Sequence, residues 1–257
     1  MQLSRLRFCA ASALATTAFL AACGGSAPAP VAQTPPPDAR RVDASTAGSV
    51  SGRVTYEGAV PASVPAKLDS DPACAREHPN GLMLDTVLVT NGGLDNVFVY
   101  VKDGLGNYYF DTPTEAVTLD QKGCNYTPHV LGVRTGQPLE IVNSDATLHN
   151  VNAVAKVNQG FNMGQAIQGM KNAKVFTAPE VMVRIKCDVH SWMTAYAGVV
   201  SHPYFAVTAG GGVFELKNLP AGTYTIEAWH EKLGTQTQSV TLGEKETKTV
   251  GFAFKVS

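Results

Sequence analysis

Lys186-Cys187-Asp188-Val189-His190-Ser191-Trp192-Met193 brings a thiol, an imidazole and a thioether together in the spacing C-x2-H-x2-M. In the run leading into it, Val181, Val183, Ile185 and Cys187 fall at every second position, with Met182, Arg184 and Lys186 between them. Period two belongs to a strand, so the run predicts a strand whose end carries the Cys187 thiol on the same inward face as the valines. His190 and Met193 then follow in a loop, and Ala195-Tyr196-Ala197-Gly198-Val199-Val200 begins another strand. Upstream, Asn143-Ser144-Asp145-Ala146-Thr147-Leu148-His149-Asn150-Val151 places a second imidazole, His149, just past the end of a further strand.

One Cys, two His and a weak axial Met form the ligand set of a blue-copper electron-transfer site. A soft thiolate suits Cu(I), imidazoles suit both oxidation states, and a distant thioether tunes the potential. The expected ligands are therefore His149, Cys187, His190 and Met193, holding one copper. Taken singly, loop histidines, a core methionine or a structural cysteine are common; all four in this order are much less so. Zinc is disfavoured, because its structural sites rarely use Met. Trp192, between His190 and Met193, reads either as a packing or rim residue or as one that shields the metal or lines an electron path. Met163 and Met170 are competing axial candidates, though loop methionines usually pack. His129 and His202 read as structural, and Glu231 beside His230 as part of a surface turn.

Working outward, the 257 residues are 44% hydrophobic and 16% charged, enough for one core or two small ones. Lys plus Arg (20) nearly balance Asp plus Glu (21), so no basic face for nucleic acid is expected. At the N-terminus, Arg5 and Arg7 precede an apolar run, Phe8 to Leu20, too short to span a bilayer. Leu20-Ala21-Ala22-Cys23 resembles a bacterial lipobox, with residues 1–22 as signal peptide and lipid on Cys23; an ordinary signal peptide is the alternative. Gly24 after the lipidated position resembles lipoproteins sent to the outer membrane. Residues 23–47, rich in Ala, Pro, Ser and Thr, read as the anchor and a disordered spacer. The implied location is the periplasmic side of a bacterial cell envelope, with the membrane touched through the lipid alone.

Of five cysteines, Cys9 leaves with the signal peptide and Cys23 is lipidated, which leaves Cys74, Cys124 and Cys187. An exported compartment is oxidising, so two should pair. The reading is a Cys74–Cys124 disulfide, with Cys187 kept as thiolate for metal. A disulfide to Cys187, or an inert buried Cys187, stays open as an alternative. The expected disulfide closes a loop of about fifty residues, a stabilisation of about 3–4 kcal/mol.

Short strands and turns fill the remainder. Gly48 to Gly58 alternates apolar and polar residues, residues 59–83 are irregular, and Asn96 to Val101 is rich in β-branched and aromatic residues. Val117 to Leu119 is a short strand, and Val130 to Asn143 is two strands about a Gly turn. Residues 152–173 show no clean period and read as loop.

On the N-x5-H-N-V element and the C-x2-H-x2-M loop, residues 112–201 resemble the cupredoxins, the loop being similar to that of amicyanin. The resemblance implies a Greek-key β-sandwich with copper buried at one end, held by His149, Cys187, His190 and Met193. It also implies that Asn150 bonds the Cys-bearing loop. Farther on, Gly212 to Ile226 carries G-x-F-x-L-x-x-L-P-x-G-x-Y-x-I, which resembles the carboxypeptidase regulatory-like, prealbumin-like β-sandwich. That module usually opens on a G-x-V-x-G-x-V strand, here at 48–58. The expectation is thus an all-β chain in which residues 48–111 and 202–257 form one discontinuous sandwich, with the 112–201 domain inserted at a loop; a tandem arrangement is the alternative. Chains of this two-part kind are often labelled methylamine utilisation proteins. No catalytic constellation is visible, so a one-electron carrier with a protein redox partner is expected, not an enzyme. A copper chaperone or sensor with the same ligands, and a metal-free surface sandwich that binds carbohydrate or protein, are the alternatives.

Overall fold

In the computed structural model, which describes residues 34–255, the chain is almost entirely β. The expected signal peptide and the expected lipidation at Cys23 lie outside the described residues. Among those described, no helix is long and apolar enough to cross a membrane.

The chain opens with β1 (Gly48–Glu57), followed by β2 (Val64–Pro65), β3 (Met83–Leu84), β4 (Val89–Thr90), β5 (Gly93–Leu94) and β6 (Phe98–Asp103). One short helix, α1 (Pro72–Glu77), lies between β2 and β3, preceded by a 3-10 turn at Leu68–Ser70. Next come β7 (Val117–Gln121), β8 (Tyr126–Thr127), β9 (Val130–Arg134), β10 (Pro138–Asn143), β11 (His149–Val154), β12 (Phe161–Gln165), β13 (Lys171–Val175), β14 (Glu180–Lys186) and β15 (Thr194–Val200). The last five are β16 (Phe205–Val207), β17 (Val213–Leu219), β18 (Gly222–His230), β19 (Gly234–Leu242) and β20 (Thr247–Lys255).

These strands make two sandwiches. In the first, β17-β1-β5-β4, with β20 parallel to β1, faces β16-β6-β18-β19. Its core joins residues from both ends of the chain: Val50, Val54, Val99 and Val101 pack with Leu216, Tyr224, Ile226, Ala228 and Phe252. In the second, β13-β10-β7-β8 faces β12-β11-β14-β15-β9 around Leu119, Leu139, Ile141, Val151, Val183, Ile185 and Phe176. All strands of the second sandwich fall between β6 and β16 in sequence, and β16 pairs with β6 on the chain's return.

Four local expectations need correction. Residues 152–173 are not all loop, since β12 lies there and β13 begins there. These strands are mostly exposed or half-exposed, their one buried residue is the polar Gln165, and they include Asn162, Gly164, Lys171 and Asn172, so no hydrophobic period marks them. The spacer does not run to residue 47. Arg40 bridges to Tyr108, its backbone N–H donating to the Asn107 carbonyl, and Arg41 pairs with Asp111. Val181 leaves the inward face, because a register shift between Glu180 and Val183 turns it toward a separate cluster with Met182; Val183, Ile185 and Cys187 stay buried. Finally, Glu231 does stand in the turn between β18 and β19, but its side chain is not solvated. Its carboxylate is buried against His129 and accepts from the Tyr196 hydroxyl at 3.1 Å.

The sandwiches meet on a flat face. Gly132 and Gly198 are register partners in β9 and β15. The Phe205 ring lies over Gly132, the Phe98 ring over Gly198, and the two rings stack at 5.6 Å. A Cβ on Gly198 would sit 2.5 Å from the Phe98 ring, which is fully buried and cannot move aside. Gly198→Ala should therefore destabilise by about 1–3 kcal/mol. Gly132→Ala should destabilise as well, since its Cβ would sit 2.1 Å from the half-buried Phe205 ring. Denaturant unfolding of the two variants measures both losses.

Candidate metal centre

The centre forms at one end of the second sandwich, where β11 begins and β14 ends. His149 is the first residue of β11, and Cys187 follows the last residue of β14. Antiparallel pairing of these strands, with Asn152 opposite Lys186, holds the two ends side by side. The Cys187 to Met193 turn is closed at its base by the Cys187 N–H donating to the Met193 carbonyl at 3.2 Å. Inside it, Met193 N–H donates to the His190 carbonyl at 2.9 Å. So short a loop forces His190 back toward Cys187, whose sulphur accepts from the His190 N–H at 3.3 Å.

Ligand atoms of His149, Cys187 and His190 lie within 4.8 Å of one another, and the two Nδ1 atoms are 3.0 Å apart. All are buried: His149 is 0% exposed, His190 1%, Cys187 3% and Met193 0%. Met193 packs in the same core cluster as Cys187. Asn150 ties the neighbouring turn, its Oδ1 accepting from the Asp188 N–H at 3.0 Å. Trp192 lies 5.0 Å from the His190 ring, centroid to centroid, and its Nε1–H donates to the Cys124 carbonyl. Of the competing axial candidates, Met163 packs against this core from β12, while the Met170 backbone caps the Asn143 turn.

Two carboxylates complete the centre, and neither was apparent in the sequence. Asp145 Oδ2 accepts from His149 Nε2–H at 2.8 Å; Asp71 Oδ2 accepts from His190 Nε2–H at 2.9 Å. A carboxylate only accepts, so each fixes the proton on Nε2 and leaves Nδ1 facing the sulphur. Asp145 stands four residues before His149, in a turn that gives no periodic signal. Asp71, at the N-terminus of α1, precedes Pro72, a Pro at the first helical position. That helix-start signal was present in the sequence, but nothing tied it to residue 190.

The electrostatics follow. Burial alone would raise the Cys187 pKa, but hydrogen bonds from both imidazoles and the backbone outweigh it and bring the pKa down to about 6. Burial alone would lower that of His149, yet Asp145 and the Cys187 sulphur lift it to about 9. Burial would also raise Asp71; its bonds to Thr147, His190 and the start of α1 instead hold it at about 2. The thiolate, the form that binds metal, is thus present at neutral pH.

Cys74 and Cys124 are joined by a disulfide with Cα atoms 5.7 Å apart, and Cys187 is the free cysteine among the described residues. A soft thiolate beside two imidazoles, all three shielded from water, is a donor set that fits copper in either oxidation state once the rings release their Nδ1 protons as the metal binds.

No family model matches the chain, and no curated protein matches it. Among solved structures it is similar to a copper-containing nitrite reductase from Thermus scotoductus SA-01, at TM-score 0.32 and 21% identity. That likeness covers 35% of this chain and 23% of the reductase, so the chain spans under a quarter of that protein's length. It is also similar to an amicyanin mutant in the Cu(I) state, at TM-score 0.30 and 22% identity over 33% of this chain and 81% of that one. A purple cupredoxin from Nitrosopumilus maritimus is similar at TM-score 0.28 and 18% identity, over 32% and 98%.

Proposed function

We propose that this chain would hold one copper ion through His149, Cys187, His190 and Met193, and carry single electrons. The observation that supports this most directly is the pair of facing imidazole Nδ1 atoms beside a buried thiolate at a sandwich end. Bound copper would supply the one-electron couple. The chain's own residues hold the ligands still, since a carrier is fastest when nothing moves between oxidation states. Asp145 and Asp71 lock the two rings, Asn150 and the closed Cys187–Met193 turn lock the sulphur, and the packed core excludes water.

We read the chain as a carrier and not an enzyme, with the Cys187 thiolate buried among its fellow ligands. A chaperone must surrender its metal, which a site this enclosed does not favour. A metal-free binding module would have no need of converging soft ligands held by buried acids. Leu148 and Val189, exposed beside the two histidines, suit a transient redox protein as partner. The N-terminal lipobox further suggests an anchor on the periplasmic side of the cell envelope.

Purified chain loaded with Cu(II) should take up one equivalent and absorb intensely in the visible through a thiolate-to-copper transition. It should also give a reversible one-electron wave in cyclic voltammetry. Loss of all copper on dialysis would sink the metal reading. A tight but irreversible couple would favour a chaperone.

A further inference from the structure

The centre is covered by a segment that lies in sequence between β1 and β4 of the other sandwich and carries its own two-stranded sheet. Between β1 and β4, β2 and β3 pair through Val64–Leu84 and Pro65–Met83 to close a base, and the 3-10 turn and α1 sit at the tip. That tip lies on the His190 edge. Asp71 is the N-cap of α1: its Oδ1 accepts from the Ala73 N–H at 2.7 Å, and its Oδ2 accepts from both His190 and the Thr147 hydroxyl. Cys74 Sγ lies 3.8 Å from His190 Nε2. Leu68, Cys74 and Cys124 form a small core against which Trp192 packs. The His78 imidazole adds a bond to the Gly123 carbonyl at 2.7 Å, and the disulfide crosses a separation of 50 residues to fix the tip.

We propose that residues 64–84 are a lid stapled over the metal centre by Cys74–Cys124, with Asp71 as the positioning residue that holds the His190 ring. The inference rests on the copper reading for its consequence, which is that the metal is resident and not cargo. It rests on geometry alone for the lid. An imidazole edge left open would admit water, small anions and chelators. Here that edge ends on a carboxylate that is itself anchored at a helix start, so His190 can swing out only if α1 lifts. Lifting α1 stretches the chain against the disulfide, whose two sulphurs are fully buried.

Two experiments test this, one of them without metal. In the metal-free chain, modification by diethylpyrocarbonate, mapped by mass spectrometry, should leave His190 about 10-fold slower than in Cys74→Ser/Cys124→Ser. Asp71→Ala, which keeps the staple, should fall between them and guards against a double variant that does not fold. Equal His190 rates in all three would overturn the lid. In the copper-loaded chain, release to a Cu(I)-selective chelator should be about 10- to 100-fold faster for Asp71→Ala. Asp71→Asn keeps an acceptor oxygen and should restore slow release, yet raise the reduction potential because the negative charge is gone. A potential unmoved in Asp71→Asn would overturn the positioning role. A chain that takes up no copper fails the metal reading and leaves the first experiment to decide the lid by itself.

Discussion

Cys187→Ser should give a folded protein that neither absorbs in the visible nor keeps copper. Serine is close to cysteine in size, and its hydroxyl can still accept from the His190 N–H, so the stability change should stay near about 1 kcal/mol. The metal chemistry does not survive. A serine hydroxyl stays protonated where the thiol, with its pKa at about 6, does not. A hard oxygen also has none of the affinity for Cu(I) that thiolate sulphur has. Removing a mere partner of a ligand typically costs 10- to 100-fold in metal affinity, so removing this ligand should cost more than about 100-fold. Competition titration against a chelator gives the number. The visible band is the sharper readout, because the other two described cysteines are tied in the disulfide and cannot supply a thiolate. A serine variant that stayed coloured would move the chromophore away from Cys187 and end the blue-copper reading.

The all-β architecture could be read from the sequence because its strands alternate. Tyr224, Ile226 and Ala228 are all buried on the core face of β18, and Val183, Ile185 and Cys187 likewise in the other sandwich. For the Cys74–Cys124 pairing, counting left three cysteines, and the His and Met spaced after Cys187 set that one apart. The two sheets of each sandwich were harder to see. Val130–Arg134 and Pro138–Asn143 look like a hairpin about Gly136, yet β9 pairs with β15 and β10 with β7, in different sheets. A short turn between strands states only that the chain reverses, not that the strands bond. Glu231 failed for a related reason. Beside His230 and Lys232 it looks solvated, and only the packing of one sandwich on the other buries it against His129 and Tyr196. Donor residues of the centre announce themselves by chemistry and spacing. The acids behind them do not, since aspartate in a turn or before a proline has an ordinary local explanation. Asp71 reaches His190 across 119 positions, through a lid whose composition gives no period.

Asp145→Ala should be among the most destabilising single changes in the chain. The carboxylate is buried and accepts three hydrogen bonds: Oδ1 from the Gly123 N–H at 2.8 Å, and Oδ2 from the Cys124 N–H and from His149 Nε2–H, both at 2.8 Å. Alanine leaves the buried donors of Cys124 and His149 and the part-buried one of Gly123 without their acceptor, and each buried unsatisfied donor costs about 1–3 kcal/mol. A total of about 3–5 kcal/mol is expected, against a typical domain stability of about 5–15 kcal/mol. Asparagine should recover only part of this, since its NH2 must face one of the same N–H groups. Urea unfolding of metal-free protein measures both variants. Copper affinity should fall about 10- to 100-fold as well, because the His149 ring loses the partner that fixes its proton on Nε2. One carboxylate thus binds the first imidazole and the backbone of Cys124, where the lid is stapled. Asp145→Ala and Cys74→Ser/Cys124→Ser should consequently be non-additive, with an interaction energy of about 0.5–3 kcal/mol. Two independent supports would give strict additivity. Coupling would mean that the turn at Gly123–Cys124 is a single hinge point, loosened alike by losing its acceptor or its sulphur bond.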